Sequence, residues 1–390
     1  MLLLRGGHIK PITGPDFTGD LLIGADGKIA DIAPSLEAPA GCPVADVTGM
    51  LVTPGLMDAH THIGLHGEAI RWEGVDINET SSPLTPQLCG IDGFNPMDEA
   101  LSLALAGGVT SAMTGPGSAN VIGGTFLAVK LYGHCVDDMV MRSPAAMKVA
   151  FGENPKGCYG QNSRQTPVTR MAVVGILREA LQKAFNYRDE LKAWQEKGEG
   201  KRPYDMKCEA LLPVVNGEIP LKAHAHRADD ILSAIRVARE FDVKLTLDHC
   251  TEGHLIADVL SRYDYPVLVG PSLGGKSKAE LREKTFATAG ILEKAGLDVC
   301  IITDAPVIPL QYLPLCAGMA MKEGMSEEGA WKAITLNPAK VAGVADRVGS
   351  LEKGKDADVA VFDGDPLRDI QCRARAVFVN GRQVHGDALI

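Results

Sequence analysis

Several side chains able to hold a metal ion stand at the ends of apolar runs. His60 and His62 close Val52-Thr53-Pro54-Gly55-Leu56-Met57-Asp58-Ala59-His60-Thr61-His62, and Glu153 follows Met147-Lys148-Val149-Ala150-Phe151. His224 lies in Leu221-Lys222-Ala223-His224-Ala225-His226, His249 ends Val243-Lys244-Leu245-Thr246-Leu247-Asp248-His249, and Asp304 ends Asp298-Val299-Cys300-Ile301-Ile302-Thr303-Asp304. Histidines at i and i+2 share one face of an extended strand, because strand side chains alternate with a period of two. Imidazole is the commonest protein ligand for zinc-like ions, and a catalytic zinc takes about three protein ligands and a water. A single strand-end histidine is more often a packed residue than a ligand. Its recurrence on several strands points instead to a divalent metal centre.

Such a centre needs a scaffold that gathers strand ends. From His60 onward the pattern alternates strands with helices, the signal for βα units and a parallel sheet. In a closed (β/α)8 barrel all strand C-termini meet on one rim, where active sites are found. Seven barrel strands can be read, beginning at the His60 run and including Val109–Thr114 and Pro266–Gly270; the eighth, or one near 206–212, is only faintly marked. The first helix is expected to open at Asn95-Pro96 with Asn95 as its cap and to stop at Gly107-Gly108. Gly115–Gly124 reads as a barrel loop, since it lacks the spacing of a phosphate cradle. A long helix is expected from about Val168 to Trp194, followed by a charged linker over Glu196–Arg202.

The ends of the chain differ in character. Residues 1–55 show short strands with an Asp26-Gly27 hairpin turn, and residues 345–390 show the same pattern with Asn380-Gly381. The expected architecture is therefore an α/β TIM-like barrel over 56–344 and a small β-sandwich formed from both termini.

Length suits one large domain and a smaller one. A formal charge of -10 with no basic block argues against a nucleic-acid partner, and no apolar run is long enough to span a bilayer. Nine cysteines without a Cys-x-x-Cys pair suit reduced thiols in a cytoplasmic setting, and no secretory leader is read at the N-terminus. A homo-oligomer is the expected assembly.

The His60-Thr61-His62 run, together with Leu336-Asn337-Pro338-Ala339-Lys340 and the segment Arg347 to Asp358, resembles the amidohydrolase superfamily within its imidazolonepropionase-like branch. The resemblance implies a ligand set of His60, His62, His224, His249 and Asp304, completed by a bridging residue. That bridge is a glutamate or a carboxylated lysine; Glu153, just past its strand, is preferred, with Lys148 as the alternative. One or two ions, zinc by default, would lower the pKa of a water to about 7. Asp304 would carry its proton and His249 would assist at the oxyanion. His226 and Arg227 are candidate contacts for a small-molecule substrate, with Arg71 and Arg170 as further carboxylate anchors. The implied reaction is hydrolysis of an amide-type C–N bond in an N-acyl amino acid, a dipeptide or a cyclic amide. A deaminase on the same scaffold and a non-catalytic scaffold protein are the alternatives.

Overall fold

The computed structural model describes residues 1–198 and 200–386. Glu199, inside the charged stretch, and residues 387–390, at the end of the terminal segment, lie outside the described residues. The N-terminal strands are β1 (Leu2–Ile9), β2 (Phe17–Ile23), β3 (Ile29–Ala33), β4 (Val44–Asp46) and β5 (Leu51–Pro54). The barrel strands are β6 (Leu56–Thr61), β7 (Val109–Thr114), β8 (Ile122–Lys130), β9 (Val140–Ala150), β10 (Leu221–Ala225), β11 (Leu245–His249), β12 (Val267–Val269) and β13 (Val299–Ile301). The chain closes with β14 (Val359–Phe362), β15 (Ala374–Val379) and β16 (Arg382–Gly386).

Both termini build one eight-stranded sheet, ordered β16-β15-β14-β5-β1-β2-β3 with β4 beside β1. The join is the antiparallel pair of β5 and β14, which sets Val52 opposite Val361. Asn380 and Gly381 both adopt positive φ, 49° and 71°, as a tight turn between β15 and β16 demands.

The barrel strands run in the order β13 to β6. They are parallel except for β8, which is antiparallel to both β7 and β9. This is the eighth strand, and it emerges from the glycine-rich run that the sequence assigned to a loop. Its nine residues are buried throughout, so no polar alternation marks it. The faint 206–212 signal is instead a helix, Met206–Val215, capped by Asp205 and carrying Pro213 inside. The helix Glu99–Ala106 is capped by Asp98, whose carboxylate accepts from the Ala100 N–H, while Asn95 is spent on the Met97 N–H one turn earlier. The long helix runs Arg170–Lys197, so the charged stretch begins within it.

β13 and β6 are the two ends of the hydrogen-bonded order, and a side chain helps to join them. The Asp58 carboxylate on β6 accepts from the Thr303 N–H and Oγ1, both at 2.7 Å, and from the His60 N–H at 2.8 Å. The His62 N–H donates to the Ala305 carbonyl at 2.7 Å. Inside the barrel, Met57, Met113, Phe126, Leu268, Cys300 and Ile302 pack with Ala339 and Ala342 of the helix Leu336–Ala342. The lumen is thus a filled core. The Lys148 and Lys222 ammonium groups lie 5.5 and 5.4 Å from the centre of the Phe126 ring, where this apolar layer meets a charged one.

Candidate metal centre

β10 carries Lys222, His224 and, just beyond it, His226 at alternate positions, so all three point the same way. Register sets Lys222 opposite Lys148 on β9 and His224 opposite Asp248 on β11. His249 follows Asp248 directly and would face away in an unbroken strand. Its φ of 75° ends the extended backbone there, and Asp304 likewise has a φ of 52°. Positive φ is uncommon outside glycine, and strained backbone of this kind clusters at functional sites.

Two groups of donors result. His224, His226 and His249 form one, and His60, His62 and Asp304 the other, each with potential ligand atoms within 4.8 Å of one another. The His60 and His249 ring centres are 5.0 Å apart, so the groups adjoin. The Asp304 Oδ1 lies 3.2 Å from His62 Nε2 and 3.4 Å from His60 Nε2.

The ring nitrogens facing away from this centre are occupied. His60 Nδ1 donates to Asp248 at 2.7 Å, His62 Nδ1 to the Gly115 carbonyl at 2.7 Å and His249 Nδ1 to the Gly270 carbonyl at 2.8 Å. His226 Nδ1 is hydrogen-bonded to Thr251 Oγ1 at 2.8 Å. A neutral imidazole that donates from Nδ1 keeps a lone pair on Nε2, the tautomer that ligation through Nε2 requires. His249 Nε2 and His224 Nδ1 are buried without a hydrogen-bond partner, which ordinarily costs about 1–3 kcal/mol. Such orphaned lone pairs, converging in a nitrogen-rich pocket, fit a divalent ion.

Charge states agree with that fit. Burial, followed by the neighbouring imidazoles, holds His224 and His226 far below the usual histidine value, and burial brings His249 down to about 3. All three are neutral near pH 7. Burial alone would raise the Asp304 carboxyl, but the close His60 and His62 rings, with His249 behind them, outweigh it and hold the group ionised. Burial lowers Lys148 to about 8, so a fraction of its amine is uncharged near neutrality. Its Nζ stands 3.2 Å from His60 Nε2.

Lys148 thus reaches the histidines from within the barrel. Glu153 does not join either donor group; its N–H donates to Glu280, and it lies on the wall of a neighbouring polar cavity. Lys148 lies within its strand and Glu153 just past it, as expected, but the lysine is long enough to bring its Nζ to His60 at the rim. Arg227 is bound to Asp229 through two hydrogen bonds, and Arg170 to Asp230, while Arg71 sits on a separate one-turn helix, Arg71–Gly74.

Sequence reasoning assigned no role to Asp248, Lys222 or Asn154. Asp248 holds His60 while taking Lys222 at 3.2 Å, and both are fully buried. Its signal was available: an acid and a lysine inside apolar strands are expensive unless paired.

The comparisons accord with this geometry. A model described as the amidohydrolase family matches residues 218–386. The chain is 41% identical to an amidohydrolase of known structure from Thermotoga maritima MSB8, covering 99% of this chain and 100% of that one with a TM-score of 0.96. It is 27% identical to an imidazolonepropionase of Maricaulis maris (strain MCS10) over 93% of this chain and 90% of the relative. It is 30% identical to amidohydrolase tasK of Hapsidospora irregularis over 90% of this chain, but spans only 38% of that protein's length. With its barrel and its strand-end histidines, the chain belongs to the amidohydrolase superfamily, in the imidazolonepropionase-like branch.

Proposed function

We propose that this protein is a metal-dependent hydrolase that cleaves an amide-type C–N bond in a small molecule, such as an N-acyl amino acid, a dipeptide or a cyclic amide. The observation that carries the reading is the pair of adjoining donor groups, one of them including Asp304, with Lys148 Nζ against His60. His60, His62 and Asp304 would hold one ion and His224, with His249 or His226, a second. Lys148, converted by carbon dioxide to its carbamate with loss of a proton, would be the bridging residue in place of Glu153. The nitrogen-rich set favours zinc. A divalent ion bound there supplies Lewis acidity and lowers the pKa of a water toward about 7.

The chain's own groups supply the rest. Asp304, ionised and at the mouth of the barrel, accepts a proton and returns it to the leaving nitrogen. Asp248 fixes the His60 tautomer and orientation. Residues 56–344 form the catalytic unit in this reading, with 1–55 and 345–390 as its support. All nine cysteines are free, which favours a reducing compartment, and no helix among the described residues is long and apolar enough to cross a membrane. A deaminase with a single ion would leave one donor group unused.

Metal analysis and a screen of dipeptides, N-acyl amino acids and cyclic amides test the proposal. Asp304→Asn should lower turnover by about 10²- to 10⁴-fold, the usual worth of a positioned proton carrier, while the bound metal is largely retained. Unchanged turnover in that variant excludes Asp304 as the proton carrier.

A further inference from the structure

Beside the metal centre, the segment 271–284 carries three lysines, and they behave differently. Lys276 Nζ donates to the Arg282 carbonyl at 2.6 Å, and Lys284 Nζ donates to the carbonyls of Gly274 and Gly275. These two tie the segment to itself. Lys278 points elsewhere: its Nζ donates to Asn154 Oδ1 at 2.9 Å. The Asn154 amide in turn donates to Ser118 Oγ at 2.8 Å and stands 3.3 Å from His224 Nε2. Asn154 and Ser118 also line a polar cavity of about 700 Å3 that includes Asn78, Glu153 and Lys156.

The charge of Lys278 is only loosely countered. Its nearest carboxylate oxygen, on buried Glu280, is 3.5 Å away, and Glu280 also faces Arg170 at 3.5 Å and accepts from the Glu153 N–H. Lys278 is one-quarter exposed, so an incoming group can reach it. Its field is among the causes that depress His224, His226 and Lys148, which places it in electrical contact with the centre. Of the candidate arginine anchors, Arg227 and Arg170 are already committed to Asp229 and Asp230.

We propose that Lys278, held at Asn154 beside His224, is the specificity residue that receives a carboxylate of the substrate, and that the substrates are amides bearing a free carboxylate near the scissile bond. The inference rests on the hydrolase reading above. In the complex, the carboxylate takes the place of the neutral Asn154 oxygen on Nζ. The ammonium then faces a full negative charge in place of an amide dipole, and a hydrogen bond between two ionised groups is shorter and stronger, which favours the exchange.

The test measures binding and turnover separately. N-acetyl amino acids and their uncharged carboxamides are titrated calorimetrically into the metal-loaded protein, and the same compounds are assayed for hydrolysis. Lys278→Met should weaken binding of the acids by about 10- to 100-fold, the worth of one hydrogen bond to a charged group. It should leave the carboxamides within about 2-fold and the metal content unchanged, and Lys278→Arg should recover part of the loss. Acid-selective binding lost in Lys278→Met without hydrolysis of any compound supports the anchor and defeats the hydrolase reading. Equal weakening of acids and carboxamides reduces Lys278 to a structural partner of Glu280 and overturns the proposal. So does selectivity that disappears in Lys156→Met but not in Lys278→Met.

Discussion

Lys130 and the pair Lys148 and Lys222 are all buried lysines, yet their surroundings are opposites. Lys130, at the end of β8, donates to Asp356 at 2.8 Å, to Asp358 at 2.9 Å and to the Asn380 side chain. Its three protons are spent, and the contact fastens the barrel to the terminal sheet. Lys222 has a carboxylate at 3.2 Å but no hydrogen bond, and Lys148 donates to a histidine whose ring already serves Asp248. Neither amine has a carboxylate to itself, since Asp248 acts on both and also serves His60. A buried charge whose bonding capacity is used up is a fastener; one whose capacity is left open is waiting for a ligand.

Removing Lys148 gives the largest effect. Lys148→Met should lower bound metal and cut turnover by at least about 10²-fold, yet cost the metal-free fold under about 1 kcal/mol, since a poorly paired buried charge is replaced by apolar volume. Metal analysis and denaturant titration of the stripped protein read the two effects apart. A large loss of stability without loss of metal would make Lys148 a fastener like Lys130 and break the contrast.

Lys130→Met should do the reverse. It leaves Asp356 and Asp358 short of their counter-charge and should destabilise the protein by about 3–5 kcal/mol, with turnover per folded molecule unchanged. The same carboxylates sharpen the comparison in acid. Burial alone would raise the Asp356 pKa, but Lys130 first, then Lys28 and Arg347, bring it down to about 2. Because its folded value lies below the ordinary 3.8, its stabilising share is complete above about pH 4 and is lost as pH falls from 4 toward 2. In Lys130→Met that acid-sensitive share should shrink, which acid titration followed by circular dichroism will show. Lys28 pairs with the same Asp356 at 3.0 Å but is 46% exposed, so Lys28→Ala should cost no more than about 1 kcal/mol.

What could be read from the sequence follows the same division. His60, His62, His224, His249 and Asp304 were legible because polar groups at the ends of apolar runs announce themselves. The terminal sheet was legible from Asp26-Gly27 and Asn380-Gly381. β8 was hidden because a strand buried on both faces has no alternation and because its antiparallel course needs no crossover helix on either side. The reach of Lys148 to His60 was hidden because position along a strand says where a Cα lies, and a lysine tip lies several ångströms further on. Asp248 and Lys278 carry no motif. Their roles depend on which neighbours have already been satisfied, and only the folded arrangement of Asp229, Asp230 and Glu280 reveals that.

The Asp58 contact carries one more implication. The two walls that deliver His62 and Asp304 are the first and last to be laid down along the barrel, and they are buckled together by a carboxylate that grips the Thr303 amide and hydroxyl on the far side. The width of the mouth at this point is therefore set in part by the reach of one short side chain, beside the backbone bond from His62 to Ala305. Lengthening that buckle by one methylene, as Asp58→Glu, would retune the spacing of the two ligands while every wall on either side kept its own register.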